Sequence, residues 1–482
     1  MQTLYWHDYE TSGTDPARDR PLQFAGVRTD TELNIIGESL VHYCCPADDL
    51  LPQPEACLVT GITPQTALAQ GVVEAAFIKR IHQEFATPGT CVVGYNNLRF
   101  DDEFTRHTLY RNFYDPYARE WQHGNSRWDI IDMVRLTRAL RPQDIEWPDQ
   151  ENGDPSFRLE ELTAANGIEH GAAHDALSDV YATINLAKLI RARQPRLYHY
   201  IFEQRDKRVV ARQLDLRQQQ PVLHVSSMYP AAQFCTAMVV PVAAHPTNRN
   251  GVIVYDLRHD PAALLSLDAQ QIRERLFTPR DQLPEGVERI PLKTIHLNKC
   301  PVVVPMKTLD EASAQRLQID IEQFTTHLDL LKGEPSLAAK VAEVFADRHF
   351  DPQQDPDLSL YSGGFFGDAD RAKMEGIRRM APSQLATANP AFDDARLPEM
   401  LFRYRARNYP QTLSAQEHVR WQVYRMARLT AQEGGGSITL AQYNEEIQRL
   451  SEIYSDSTSD MAVLQALRSY AEQLIPATPG SQ

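Results

Sequence analysis

Leu4-Tyr5-Trp6-His7-Asp8-Tyr9-Glu10 opens the chain as an apolar run ending in two carboxylates one residue apart. On an extended strand, residues two apart point to one face, so Asp8 and Glu10 share a side while Tyr9 takes the other. Paired hard oxygens of this kind can grip one divalent cation. Two further apolar segments, 21–28 and 34–43, follow with turn-prone residues between them. The three segments predict an antiparallel strand trio. Alone, Asp-x-Glu says little, because a chain with 64 acidic residues produces it often and a solvated turn is its commoner meaning.

Further along, a helical pattern over 63–85 precedes the buried-strand run Thr90-Cys91-Val92-Val93-Gly94-Tyr95, and helical stretches over 102–113 and 129–140 come next. Mixed strands and helices in this order predict an α/β domain. The polar stretch 146–155 reads as a loop. A long amphipathic helix over 174–193 carries Leu177, Val180, Ile184, Leu186, Leu189 and Ile190, and Gln194-Pro195 ends it. From 209 to 304 the texture turns to short β runs, and beyond 351 helical patterns occupy 369–379, 415–432, 440–454 and 460–474. A length of 482 residues accommodates about three domains, placed at 1–194, 195–350 and 351–482.

Two more acidic motifs stand beside the first. Asn96-Asn97-Leu98-Arg99-Phe100-Asp101-Asp102 follows a strand end, where Asp101 can face Asp8 across the sheet edge. Both acids could equally do no more than favour a helix N-terminus through its dipole. His174-Asp175-Ala176-Leu177-Ser178-Asp179 opens the long helix, with Asp179 about one and a half turns beyond His174. A lone His near an Asp is usually structural, and Asp175 suits an ordinary helix start.

Composition narrows the class. An apolar fraction of 42% and a charged fraction of 23% are those of a folded globular protein. There is no basic leader, nor any run near the roughly 18 apolar residues of a membrane span, so a cytoplasmic, unprocessed protein is expected. The six cysteines are scattered without zinc spacing and read as reduced and structural. A net charge of -15 rules against holding nucleic acid by global attraction, so any such substrate requires basic residues concentrated in a groove.

Taken together, Asp8-x-Glu10, Phe100-Asp101 and His174-x-x-x-x-Asp179 resemble the DEDDh exonuclease family, which has a ribonuclease H-like fold. Within it the chain is similar to bacterial exonuclease I. That likeness rests on residues 7–11, 23–30, 94–103 and 110–117, on Asn298-Lys299-Cys300-Pro301, and on Tyr404-Arg405-Ala406-Arg407-Asn408. The resemblance implies an exonuclease domain followed by an SH3-like, mostly β domain and a helical C-terminal domain. It also implies 3'-to-5' degradation of single-stranded DNA, processive, to 5'-mononucleotides, in DNA repair and recombination. Two Mg2+ ions, for which Mn2+ can substitute, would be held by Asp8, Glu10, Asp101 and Asp179, with His174 as general base. A DEDDh exoribonuclease trimming RNA 3' ends uses the same five residues and is the alternative.

Partners follow from the same resemblance. Exonuclease I proteins bind the C-terminal tail of single-stranded-DNA-binding protein. Arg141 and Tyr200 would contribute to that pocket here, although residues 217–221 and Leu309-Asp310 lack the basic charge it calls for. A monomer is expected. For the strand itself, arginines and aromatics interleave over 99–128 and again over 402–409, and single strands are held by stacking plus backbone charge. Arg99, Tyr110, Arg111, Tyr404, Arg405 and Arg407 are the resulting DNA-contact candidates. Any one of the aromatics is more often core than contact.

Overall fold

The first two strands are almost wholly buried, and the third lies partly exposed beside them. In a computed structural model of the chain, residues 2–171, 175–346 and 353–475 are described. Strand β1 (Thr3–Thr11) pairs antiparallel with β2 (Pro21–Thr29), bringing Asp8 opposite Ala25, and β2 pairs with the short β3 (Leu40–Tyr43). The expected trio is present, its third member shorter than the apolar run. Gly26 sits opposite His7, where a Cβ would lie 2.5 Å from the Tyr5 ring, so no larger residue fits without moving it.

Strand β4 (Thr90–Gly94) runs parallel to β1, with Trp6 opposite Val93. Parallel neighbours need a crossover, and residues 44–89 supply it, including helix α1 (Glu74–Phe85). The sequence pattern over 63–85 is therefore two helices, Pro64–Gln70 and Glu74–Phe85, broken at Gly71. Helix α2 (Asp101–Arg111) follows β4, and helix α3 (Ala176–Arg193) ends where expected. Pro195 ends α3 but also starts the next helix, Pro195–Glu203, because a proline at the first helical position loses no hydrogen bond.

The chain divides into two compact units. The first comprises the described residues of Met1–Ser126, His170–Tyr181 and Phe350–Gln482; the second comprises those of Arg127–Glu169 and Ala182–His349. In the first, the sheet order is β3-β2-β1-β4, and the chain leaves the unit at Ser126, the first residue of strand β5 (Ser126–Asp129). The second contains an antiparallel sheet in the order β10-β6-β7-β8-β9, built from β6 (Val222–Val225), β7 (Thr236–Ala244), β8 (Gly251–Asp256), β9 (Leu292–His296) and β10 (Val303–Pro305). Val222, Val239, Val254, Ile295 and Val303 form its core.

The helical C-terminal residues belong to the first unit. Helices α4 (Asp368–Arg379), α5 (Leu397–Asn408) and α6 (Ala415–Thr430) pack there, α6 opening with a reciprocal Ser414–Glu417 cap. One apolar cluster joins Tyr110 and Phe113 after β4 to Met374, Leu397 and Tyr404 near the C-terminus, and another joins Leu51 and Cys57 to Leu429, Tyr443 and Leu467. The same unit holds a buried ion network. Arg407 reaches both Asp49 and Asp357 at 2.8 Å, Arg403 reaches Asp357 at 3.0 Å, and Arg428 reaches Asp49 at 3.3 Å. The neighbouring arginines outweigh burial and hold the Asp49 and Asp357 carboxyls below the usual carboxylate range.

Candidate active site

Strand register sets the position of the first carboxylates. Because β1 and β4 run parallel with Trp6 level with Val93, Asp8 stands level with Tyr95, just before the turn that leads to Asp101. Glu10 lies two residues on along the same face, and Tyr9 points the other way into an aromatic core with Phe24 and Phe77. Tyr9 does more than fill space. Its backbone N–H donates to Asp101 Oδ1 at 3.1 Å and its hydroxyl accepts from Thr105 Oγ1 at 3.1 Å, so β1 and the first turn of α2 are tied together on both sides of the strand.

Helix α3 delivers the third carboxylate. Asp175 accepts from the Ser178 N–H at 3.2 Å and so holds the helix start, as its place in the sequence suggested. Asp179 then projects from the first turn. One oxygen each of Asp8, Glu10 and Asp179 lie within 4.8 Å of one another. Burial, then the charges of Asp101 and Asp179, push the Asp8 carboxyl well above its ordinary range. Burial, then Asp8, Asp179 and Asp175, push Glu10 up to about 9. Like charges this close resist ionising together unless a cation shares the space, and oxygen-only ligands suit a hard divalent ion.

Asp101 is buried beside this trio through its bond to Tyr9. Its neighbour Asp102 turns away from the trio and is fully buried in an ion pair with Arg119 at 2.6 Å. His174 lies outside the described residues. Among the described residues a histidine that the motif did not suggest meets the trio: His170 Nε2 is 2.5 Å from Asp179 Oδ1. Its nine-residue separation from Asp179 carries no periodic signal, so nothing in the pattern could have found it.

Of the six strand-contact candidates, five are buried or paired within the protein and one is exposed. Arg99 is exposed on the turn before α2. Tyr110 is buried and donates to the Pro356 carbonyl at 3.0 Å, and Arg111 is buried against Glu74 at 3.0 Å. Tyr404 is core, Arg405 binds Glu417 at 2.7 Å, and Arg407 belongs to the Asp49–Asp357 network. The dense run 402–409 is thus a helix whose arginines neutralise buried acids rather than a basic strip facing solvent. Over 99–128, Arg106 and Arg119 are likewise committed to Glu120 and Asp102, while Trp121 stays exposed at 65%. In the second unit Arg141 donates to the Thr308 carbonyl at 3.0 Å and meets Asp310 at 3.3 Å, and the Tyr200 hydroxyl donates to Gln213 at 2.9 Å.

Three family models match the chain in succession: an exonuclease domain over residues 5–187, an exonuclease I SH3-like domain over 205–347 and an exonuclease I C-terminal domain over 354–474. Exodeoxyribonuclease I of Escherichia coli K12 is 49% identical over 476 residues, covering 98% of both chains. Among solved structures, exonuclease I from Methylocaldum szegediense superposes with a TM-score of 0.95 at 56% identity, over 98% of this chain and 100% of that one. The zinc-bound form of the E. coli exonuclease I complex with single-stranded DNA gives 0.93 at 49%, over 98% and 99%. Among the described residues, no helix is long and apolar enough to cross a membrane.

Proposed function

Because the chain belongs to the exonuclease I family, a family of phosphodiester hydrolases, we propose that it removes 5'-mononucleotides processively from the 3' end of single-stranded DNA. The observation that carries this reading is the carboxylate trio Asp8, Glu10 and Asp179, with Asp101 fixed beside it. These residues would hold two magnesium ions. When bound, the ions supply Lewis acidity and charge stabilisation to the attacking and departing oxygens.

The chain's own groups do the rest. Tyr9 N–H and Thr105 fix Asp101 and its helix against β1. His170 steadies one oxygen of Asp179. His174 takes the proton of the attacking water, since an imidazole can accept it near neutral pH. DNA repair and recombination, a cytoplasmic location, a monomeric state and use of the single-stranded-DNA-binding protein tail complete the reading. For the tail, Arg141 is already engaged by Asp310, so a weak contact is expected at that point. The three-domain division at 1–194, 195–350 and 351–482 belongs to the same proposal.

Matched DNA and RNA oligomers, labelled at the 5' end and incubated with magnesium or with a chelator, test it. Conversion of full-length DNA to short 5'-labelled remnants with few intermediate lengths, absent with chelator, is the expected result. Faster trimming of RNA would replace the reading with that of an exoribonuclease.

The charge crowding gives a second expected result, read without turnover. With Glu10 raised to about 9, its carboxyl is protonated near neutrality before the ion arrives, and binding must expel that proton. Because Asp8 is held up as well, magnesium affinity climbs with pH by at least about tenfold per unit through neutrality. Calorimetry in two buffers of different ionisation heat should show proton release at pH 7. Equal heats in both buffers, with pH-independent affinity, would mean the acids are already ionised.

A further inference from the structure

Asp101 and Asp102 are adjacent carboxylates in the first turn of α2, yet only Asp101 is tied to β1 beside the trio. Successive residues of a helix point about 100° apart, so a rotation of α2 about its own axis would carry Asp102 towards the place that Asp101 holds. The helix start does not itself choose between them. Its N-cap, Phe100, makes no side-chain capping bond, and the helix dipole favours every acid of the first turn alike.

The choice is made from beyond the helix. A single turn, Ala118–Glu120, brings two consecutive side chains of opposite charge back against α2. Arg119 takes Asp102 at 2.6 Å, and Glu120 takes Arg106, one helical turn further along, through bonds of 2.8 and 3.0 Å. The Arg119–Asp102 pair is fully buried, with the guanidinium 4.8 Å over the Phe85 ring. Arg119 Nε and Nη1 donate to nothing among the described residues, so its hydrogen bonding is spent on Asp102. Burying a charged pair on so few bonds adds little net stability, and what the pair fixes matters more than what it stabilises. From the strand side, the Tyr9 N–H, beyond the last β1–β4 pair at Trp6–Val93, donates to Asp101 Oδ1, and Thr105 donates to the Tyr9 hydroxyl. The two neighbouring acids are therefore held by different partners, one on each.

We propose that Arg119 is a positioning residue of the active site: by holding Asp102 it fixes the rotation of α2, so that Asp101 and not its neighbour is presented to the metal ions. The proposal rests on the reading of the protein as a metal-dependent nuclease and adds to it a residue outside the five-residue motif. Glu120 grips the same helix through Arg106, a turn away from the acids, and so provides the comparison: it shares in holding α2 but touches no neighbour of a ligand.

The test measures magnesium binding by calorimetry without DNA, together with the melting temperature in EDTA. Arg119→Met should weaken magnesium binding about tenfold to a hundredfold, the usual consequence of losing a group that orients a ligand. Glu120→Gln should also lower the melting temperature but keep magnesium affinity within about twofold of the parent, since it orients no ligand. Asp102→Asn/Arg119→Met leaves no lone buried charge and should regain most of the lost stability. Its magnesium affinity should nevertheless stay at least about fivefold below that of the parent, because nothing then fixes the rotation of α2. This double variant decides the matter if Arg119→Met alone does not fold. Parental magnesium affinity in the double variant, or in folded Arg119→Met, overturns the proposal, since the pair would then do no more than balance charge. So does an equal loss in Glu120→Gln, which would mean that any loosening of α2 has the same effect. A parent that binds magnesium without shortening DNA would end the exonuclease reading and leave this comparison intact, so the two failures are distinguishable.

Discussion

Asp8→Ala is expected to lower turnover on single-stranded DNA by at least about 1,000-fold, the equivalent of the several kcal/mol that a catalytic metal supplies. Asp8 is the central member of the acid group: it lies on the strand between two pairings, close to Glu10 and Asp179, and feels the charge of Asp101 most. No neighbouring side chain can replace its oxygens. Binding of a strand in EDTA should stay near that of the parent, because no described strand-facing group depends on Asp8. Stability should hold or rise, since burial and like charge disfavour ionised Asp8 in the folded state. Asp8→Asn, which keeps the shape, should lose turnover equally. Residual activity within about tenfold of the parent in either variant would show that the ions do not depend on this carboxylate.

Arg407→Ala is expected to destabilise the first unit by about 3 kcal/mol without touching the carboxylate trio. Its guanidinium is buried between Asp49 and Asp357, and removing one partner of a buried pair leaves charge without compensation, at a cost of about 3 to 5 kcal/mol. The lower figure applies because Arg428 and Arg403 still face the two acids. Denaturant unfolding should show a lower midpoint, and Asp357→Asn added to Arg407→Ala should recover part of the loss. A single variant as stable as the parent would mean the network contributes nothing net. An additive double variant would mean the two residues do not interact.

Much of the site was legible in the sequence. Strand alternation put Asp8 and Glu10 on one face, and the helix pattern put Asp179 near the start of α3, about one and a half turns beyond His174, where the helix observed from Ala176 carries it in its first turn; both are local periodicities that sequence expresses directly. What escaped was long-range. The role of Asp102 depends on Arg119, seventeen residues away, and the contact of His170 with Asp179 has a nine-residue separation that matches no period. The run 402–409 was misleading for a physical reason: arginines that neutralise buried acids and arginines that bind phosphate look identical in composition, and only the positions of Asp49, Asp357 and Glu417 separate them. The division into units was equally hidden, because the apolar faces of α4 and α5 do not record that they close against residues near Tyr110 rather than against one another alone.

That closure between sequence-distant segments bears on how the protein is made. Asp49 and its partner Arg407 are 358 residues apart, and Leu51 and Cys57 are covered by residues beyond 428. At about 5 to 20 residues per second, a ribosome takes roughly 20 to 70 s to supply the missing side of that interface. Throughout that interval the nascent β1–β2–β3 segment carries a lone acid and an uncovered apolar patch. The first unit can become native only as the last helices leave the exit tunnel, whereas Arg127–Glu169 and Ala182–His349 can assemble earlier. A messenger truncated late in translation therefore yields a chain whose middle portion folds while its nuclease end stays open to chaperones and proteases.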